Sequence, residues 1–312
     1  VDAPTREEQE SDDPVVAAAS DADLALDLCV PGACVACSPT TQLWYLRRNT
    51  RGAVRVRGFT IRQDSLESIR EWIDWLPLPS RLRWLDAKSN SLSTEDIRRF
   101  VTHAPMLERL KAHSVSDLAA VSELQHLHTL WIATCDAVEP PGLASVLTMP
   151  SLRCLSLSHM SITRWNTTVG VLSAVRATSA LSTLDVLTYA VNDTHGNPFL
   201  INRAVFPNLD ELLVNVQPDD MSLADQVASQ NLKLFAGPFG DSHPMSSLKH
   251  FRSFAQGSRS EEVGRRLAAL RDSRGRASLE TLSSNGDTAV VNAFLQSVDR
   301  YNSLRHLGFR DT

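Results

Sequence analysis

The sequence is short of basic charge, of cysteine and of long apolar runs, and each shortage argues against a class of function. Lys and Arg number 31 against 36 Asp and Glu, a formal net charge of −5. That balance argues against a dedicated nucleic-acid binder, which grips phosphate through basic surface. No stretch approaches the roughly 18 consecutive apolar residues that a membrane-spanning helix needs. Five cysteines, an odd number, fit free thiols in an intracellular protein better than a disulfide scaffold. No Gly-rich phosphate loop, no H-E-x-x-H and no G-x-S-x-G occurs, and the histidines are scattered. The run "NDTHGN" around His195 reads as a polar loop tip, not as a nucleophile relay. The expectation is a non-enzymatic protein without cofactor or metal.

Two local patterns are set aside on similar grounds. Cys29, Cys34 and Cys37 have the spacing C-x4-C-x2-C, which resembles a plant-type iron–sulfur run. The next cysteine is Cys135 and the neighbours are mostly Ala, Val and Pro, so three thiols in a capping segment is the reading adopted. The triplets at Asn166 and Asn192 match the glycosylation pattern, but such triplets arise often by chance.

What the chain does have is ordinary globular material: 312 residues, 43% apolar and 21% charged, enough for a sizeable core. Arg supplies most of the positive charge, a compositional habit shared with the many alanines. The chain starts at Val1, which suggests processing or trimming. Residues 1–22 are acidic, contain Pro and lack aromatics, and read as a flexible tail. Residues 23–53 carry a short apolar helix signal around Leu24–Leu28 and then the breakers Pro31, Gly32 and Pro39, and read as a capping segment.

From residue 54 onward the sequence is periodic. The stretch "LRWLDAKSNSL" (Leu82–Leu92) has the form L-x-x-L-x-A-x-x-N-x-L. Copies begin at Leu107, Leu127, Leu152, Leu181 and Leu209, and weaker ones at Leu248, Leu279 and Leu304. The intervals are 25, 20, 25, 29, 28, 39, 31 and 25 residues. The fourth and sixth positions are apolar, as in a short strand whose alternate residues point inward. The ninth, Asn90 in the first copy and Cys135 in the third, places a small polar group inside the bend that follows. The reading predicts that Asn90 bonds main-chain groups lacking ladder partners there. No unit buries its apolar face alone, so the units must stack.

Between these motifs the pattern turns helical. "STEDIRRFVTHAP" (Ser93–Pro105) opens with capping residues and early acid groups and carries Ile97, Phe100 and Val101 on one face. Asp64–Pro77, Gly142–Pro150 and Ala289–Tyr301 repeat the design. The unit from Leu107 has room only for a short helix or turn. The Leu209–Leu248 interval holds either an insertion loop or a degenerate repeat around Leu232. Gly196 and Pro198 stand where a helix is expected, which predicts a loop over 189–206.

Over residues 54–312 the chain resembles the leucine-rich repeat proteins, in particular the ribonuclease-inhibitor-like and cysteine-containing types. Phrases such as "LSTEDIRRFVTHAPMLERL" are similar to repeats of F-box proteins, although no F-box is recognisable in residues 1–53. The resemblance implies an α/β solenoid of nine to ten irregular repeats, with a curved parallel sheet on the concave side and helices on the convex side. It also implies a concave face built from the third, fifth and seventh positions. By register these are Trp84, Asp86 and Lys88, then Arg109, Lys111 and His113. Then come Thr129 with Trp131, Cys154 with Ser156, Thr183 with Asp185, and Glu211 with Leu213.

Trp84, Arg109 and Trp131 are read as one patch for a protein partner, because exposed Trp and Arg dominate interface hot spots. Lys111 and His113 beside them favour an acidic segment on that partner. Packing roles compete: the cap leaning over Trp84, Trp131 filling a gap left by the short unit, or the acid run Glu7–Asp13 folding onto the patch. The leading expectation is an interaction scaffold within a hetero-complex, without nucleic acid or membrane. The alternatives are a structural subunit of a large assembly, organellar or ciliary, or the recognition part of a ubiquitin ligase lacking its F-box. The compartment expected is the cytoplasm, or the mitochondrion after presequence removal. The strand at Leu304–Phe309 lacks a polar capping unit, so a truncated chain or a partner docked on that end is expected.

Overall fold

A computed structural model describes residues 24–27, 56–60, 70, 82–135, 138–187, 199–215, 232–236, 248–253, 264–265, 267–269, 279–285, 288–297 and 305–310. The strands, in chain order, are β1 Leu24–Asp27, β2 Val56–Thr60, β3 Trp84–Leu92, β4 Arg109–Val115, β5 Thr129–Ile132 and β6 Cys154–Ser158. They continue with β7 Thr183–Leu187, β8 Glu211–Asn215, β9 Leu234–Ala236, β10 His250–Ser253, β11 Thr281–Asn285 and β12 His306–Arg310. They form one sheet in strictly sequential order, with neighbours parallel. Sequential parallel strands need a crossover after each one. This is a leucine-rich-repeat solenoid.

The register repeats because the backbone repeats. The carbonyl of Arg83 accepts from Glu108 N at 2.6 Å and from Arg109 N at 2.9 Å. The carbonyls of Glu108, His128, Arg153, Ser182, Lys233, Lys249 and Glu280 accept from two successive amides of the next unit in the same way. Inward positions of β3 to β8 are buried: Leu85 and Ala87, Leu110 and Ala112, Leu130 and Ile132, Leu155 and Leu157, Leu184 and Val186, Leu212 and Val214. The leading leucines Leu82, Leu107, Leu127, Leu152, Leu181 and Leu209 are buried with them. The uneven spacing of the opening motif is thus the footprint of one inward row plus two flanking anchors.

On the convex side, α1 Thr94–His103 follows β3. Ser93 caps it: its Oγ accepts from Asp96 N, and Asp96 Oδ2 accepts from Ser93 N at 2.9 Å, a reciprocal capping box. After β4 only one turn forms, α2 Leu118–Val121, capped by Asp117. Next come α3 Pro140–Leu147, with Pro at the first helical positions, and α4 Ile162–Ala174; α5 Thr288–Ser297 precedes β12. The helix at 94–103, the short turn in the 20-residue unit, and the helices near 142–150 and 289–301 follow the sequence reading. The expected helix at Asp64–Pro77 lies outside the described residues except for Arg70, which is helical.

Four readings change. Leu24–Asp27, where a helix signal stood, is a strand paired with β2; four residues are too few for a helix to outweigh an available sheet edge. The choice over the Leu209–Leu248 interval falls to a degenerate repeat, since Leu232 is buried and β9 pairs with both β8 and β10. α4 was not anticipated, because Thr and Asn dilute its apolar face. It carries Trp165, buried and stacked on Phe199 at 5.2 Å and Phe206 at 5.9 Å. Trp165 Nε1 donates to Leu200 O at 2.7 Å, and Asn166 Oδ1 accepts from Leu200 N at 2.8 Å. The described part of the expected loop, 199–206, is indeed non-helical, and these contacts replace a convex helix there.

The fourth change concerns Asn90. It is buried as expected, but its Nδ2 has no hydrogen-bond partner. The cause is a bulge: Ala87 pairs with Ala112 and Ser91 with Ser114, so Lys88, Ser89 and Asn90 face the single residue His113. The amide therefore has no ladder carbonyl opposite it. Cys135 does occupy its turn: its amide donates to Ser158 O at 3.1 Å, its carbonyl accepts from Val138, and its thiol lies 3.9 Å from Ile132 O. The final strand begins at His306, within the expected Leu304–Phe309, and Leu307, an inward-type position, is 39% exposed.

Candidate functional site

The outward positions of the strands form two long rows on the concave face. The first runs Trp84, Arg109, Thr129, Cys154, Thr183, Glu211, each in register with the next. The second runs Asp86, Lys111, Trp131, Ser156, Asp185, Leu213. Neighbours within a row are separated by the strand spacing of about 4.8 Å. On its other side Trp84 stands in register with Gly58 of β2.

The structure places the residues of the expected patch as follows. Trp84 and Arg109 are direct neighbours, but Trp131 lies in the second row beside Lys111, not beside Arg109. What joins Trp131 to β3 is Lys88, whose Nζ sits 5.3 Å from the ring centroid, within cation–π range. Lys88 is the first residue of the β3 bulge, between Ala87 and Ser91. Lys111 Nζ pairs with Asp86 Oδ2 at 3.6 Å. Arg109, Lys88 and His113 are exposed, while Trp84 and Trp131 are half-buried. His113 Nε2 lies 3.5 Å from Thr134 Oγ1.

Trp131 does not fill a gap behind the short unit. Its neighbours Leu130 and Ile132 point inward, so by strand alternation its ring is on the opposite side of the sheet from α2. The run Glu7–Asp13, the Cys29–Cys34–Cys37 group and His195 all lie outside the described residues. The Asn166 triplet sits on α4 with its side-chain carbonyl engaged by Leu200.

The middle and far strands carry features that a repeat-by-repeat reading passes over. Ser156 Oγ donates to Asp185 Oδ2 at 3.0 Å, and Thr183 Oγ1 donates to Glu211 Oε2 at 3.2 Å. Both carboxylates are half-buried. The Cys154 thiol between them and the basic half is pushed up by its burial, and further by the charges of Asp185 and Glu211. A raised thiol pKa leaves Cys154 protonated and a poor nucleophile. Among the described residues no group of three or more His, Cys, Asp or Glu could hold a metal ion. No helix among them is long and apolar enough to cross a membrane.

No family model matches the chain, and no curated protein matches it. Among solved structures it is similar to the leucine-rich repeat-containing protein LegL7 from Legionella pneumophila. That similarity has a TM-score of 0.49 at 13% identity, covering 82% of this chain and 91% of that chain. The assignment as a leucine-rich-repeat solenoid rests on the sheet itself, on its sequential order and on the buried inward row of β3 to β8.

Proposed function

We propose that this protein is a non-enzymatic interaction scaffold that binds a partner protein along its concave sheet. One observation carries the reading: Trp131 presents its ring on the outward row with Lys88 over it, one strand from exposed Arg109. A ring in that position supplies apolar area and a stacking surface at low entropic cost, and the cations around it supply fixed donors. Trp84, Asp86, Lys111 and His113 complete the patch, which suits an acidic segment on the partner. The convex helices α1, α3 and α4 support the ribonuclease-inhibitor-like or cysteine-containing repeat types, where such scaffolds are common. Affinity purification with the full chain, read by mass spectrometry, identifies the partner. Trp131→Ala or Arg109→Ala then weakens its binding by about 2 kcal/mol or more with an unchanged circular dichroism spectrum. Unchanged affinity for both variants moves the site off the concave face.

A second reading, a structural subunit of a larger assembly, is favoured by α4. Its outward positions Thr163, Thr167, Gly170, Val171, Ala174 and Val175 carry no charge, and Val171 and Val175 are 52% and 67% exposed. A partner in that assembly would lie on the convex side.

A further inference from the structure

Of the two lysines beside Trp131, the one in register with it turns away. Lys111 pairs with Trp131 across β4 and β5, yet its Nζ reaches back to β3, 3.6 Å from Asp86 Oδ2. Lys88 starts two strands from the ring, and its Nζ is the one that sits over it, 5.3 Å from the centroid. Asp86 acts on both. Its Oδ1 accepts from Lys88 N at 3.3 Å, which ties down the backbone from which the Lys88 side chain departs. The two ammonium groups therefore end in different states. That of Lys111 has a carboxylate opposite it. That of Lys88 is exposed and rests on a ring, and among the described residues no carboxylate pairs with it. A ring quadrupole attracts a cation without cancelling its charge, and it leaves the remaining N–H donors facing outward.

We infer that Lys88 is the residue that receives a Glu or Asp carboxylate of the partner, with Trp131 and Asp86 as positioning residues that hold its ammonium out on the concave face. The inference rests on the concave-face reading above and says which cation the acidic segment meets. An incoming carboxylate reaches Lys88 without displacing another, whereas at Lys111 it competes with Asp86. A lysine already held over a ring also has less rotamer freedom left to lose when it pairs, so pairing costs less. Asp86 makes the selection, because it neutralises the lysine in register with the ring and anchors the other.

The test is fluorescence anisotropy with the full chain over a salt series that begins where the Debye length is about 30 Å. The probe is a short fluorescein-labelled peptide of Glu residues in a Gly/Ser background, with the same peptide carrying Gln for Glu as control. It has no apolar side chain, so it senses the Trp131 ring only through Lys88. Wild type should bind the Glu peptide in preference to the Gln one. Lys88→Met keeps the stem and removes the charge; it should weaken binding about fivefold or more and flatten the salt dependence. Lys111→Met should cost less than Lys88→Met. Trp131→Leu should cost about threefold, and Trp131→Phe, which keeps a ring, should recover most of that loss. In a Lys88→Met background Trp131→Leu should cost nothing further, since the ring then has no ammonium to hold. Lys111→Met costing as much as Lys88→Met, or Trp131→Leu costing as much without Lys88 as with it, overturns the assignment of roles and leaves the concave site standing. A Glu peptide that binds wild type, Lys88→Met, Lys111→Met and Arg109→Met equally overturns the two together. Failure of the Glu peptide to bind overturns this proposal alone, since the concave site is judged separately by Trp131→Ala on the purified partner.

Discussion

Asp96 is the point where local helix chemistry and long-range packing meet, so removing its carboxylate tests both. The side chain is fully buried, yet it accepts from Ser93 N at 2.9 Å, Ser93 Oγ at 2.6 Å, Arg70 Nε at 2.7 Å and Arg70 Nη2 at 3.3 Å. Burial by itself pushes the carboxyl pKa up. The hydrogen bonds from Arg70 and Ser93, with the Arg70 charge, outweigh it and hold the group below its ordinary value. Hydrogen bonds to a charged group contribute about 1.5–3 kcal/mol each, and an N-cap about 0.5–2 kcal/mol. Those terms do not add in full, because the arginine is 40% exposed and regains water once released. Asp96→Ala should therefore cost about 2–3 kcal/mol of stability at neutral pH. Arg70→Ala leaves a buried carboxylate with only Ser93, and the double-mutant cycle should show a coupling of about 1 kcal/mol or more. Urea unfolding followed by far-UV circular dichroism reads all three. The pH dependence has a fixed sign. A carboxyl whose folded pKa lies below its unfolded value stabilises fully above the unfolded value, about 3.9, and less as pH falls through the folded one. The gap between wild type and Asp96→Ala should narrow below about pH 4. A neutral-pH loss under about 0.5 kcal/mol, or a gap that does not narrow in acid, refutes the reasoning.

Gly264 lies where a Cβ would stand 2.2 Å from Val290 O and 2.8 Å from Phe294 N of α5; both are backbone atoms, so Gly264→Ala should cost about 2 kcal/mol or more in thermal or urea unfolding. Arg176 has φ of 55° just past α4, where Ala177 N bonds Leu172 O at 2.9 Å; Arg176→Gly removes the left-handed penalty and should raise the unfolding free energy by up to about 1 kcal/mol, read as a higher urea midpoint. Asn90→Ala should change stability by less than about 1 kcal/mol, because the amide it removes is buried and unpartnered; a loss of about 2 kcal/mol would show that the amide is bonded in solution.

Much of the architecture was legible because the inward row admits little variation. Each strand needs two apolar residues two positions apart and one anchor before them, and that demand recurs from Leu82 to Leu209 whatever happens between. The convex side was harder to read. α2 shrinks to one turn, and around 199–206 the helix gives way to backbone held by Trp165 and Asn166 of the unit before. That dependence on a neighbouring unit leaves no mark in the local periodicity. The turn at Asn90 was misjudged for a related reason: counting positions assumes equal strands, whereas the bulge gives β3 three residues against one in β4. At the candidate site the register sets which outward residues share a row, whereas the approach of Lys88 to the Trp131 ring across β4 shows only in three dimensions.

The contrast between the two sides bears on where a partner would sit. In a solenoid each unit contacts only its neighbours, so a change in one convex element is absorbed locally. Here the crossovers vary from a single turn to thirteen helical residues, yet the paired carbonyl bonds repeat from Arg83 to Glu280 with few changes. The outward rows are therefore held in register by backbone, independent of which side chains occupy them. Those side chains are free to be chosen for something other than folding. From β3 to β8 the inward residues are uniformly apolar, whereas the outward ones run Trp, Arg, Thr, Cys, Thr, Glu in the first row and Asp, Lys, Trp, Ser, Asp, Leu in the second. A surface under no packing demand needs no half-buried tryptophan with a lysine over its ring, nor carboxylates oriented by hydroxyls from the adjoining strand. Those features cost side-chain entropy and desolvation that the fold does not require, and binding along the concave rows, the function proposed above, would account for them.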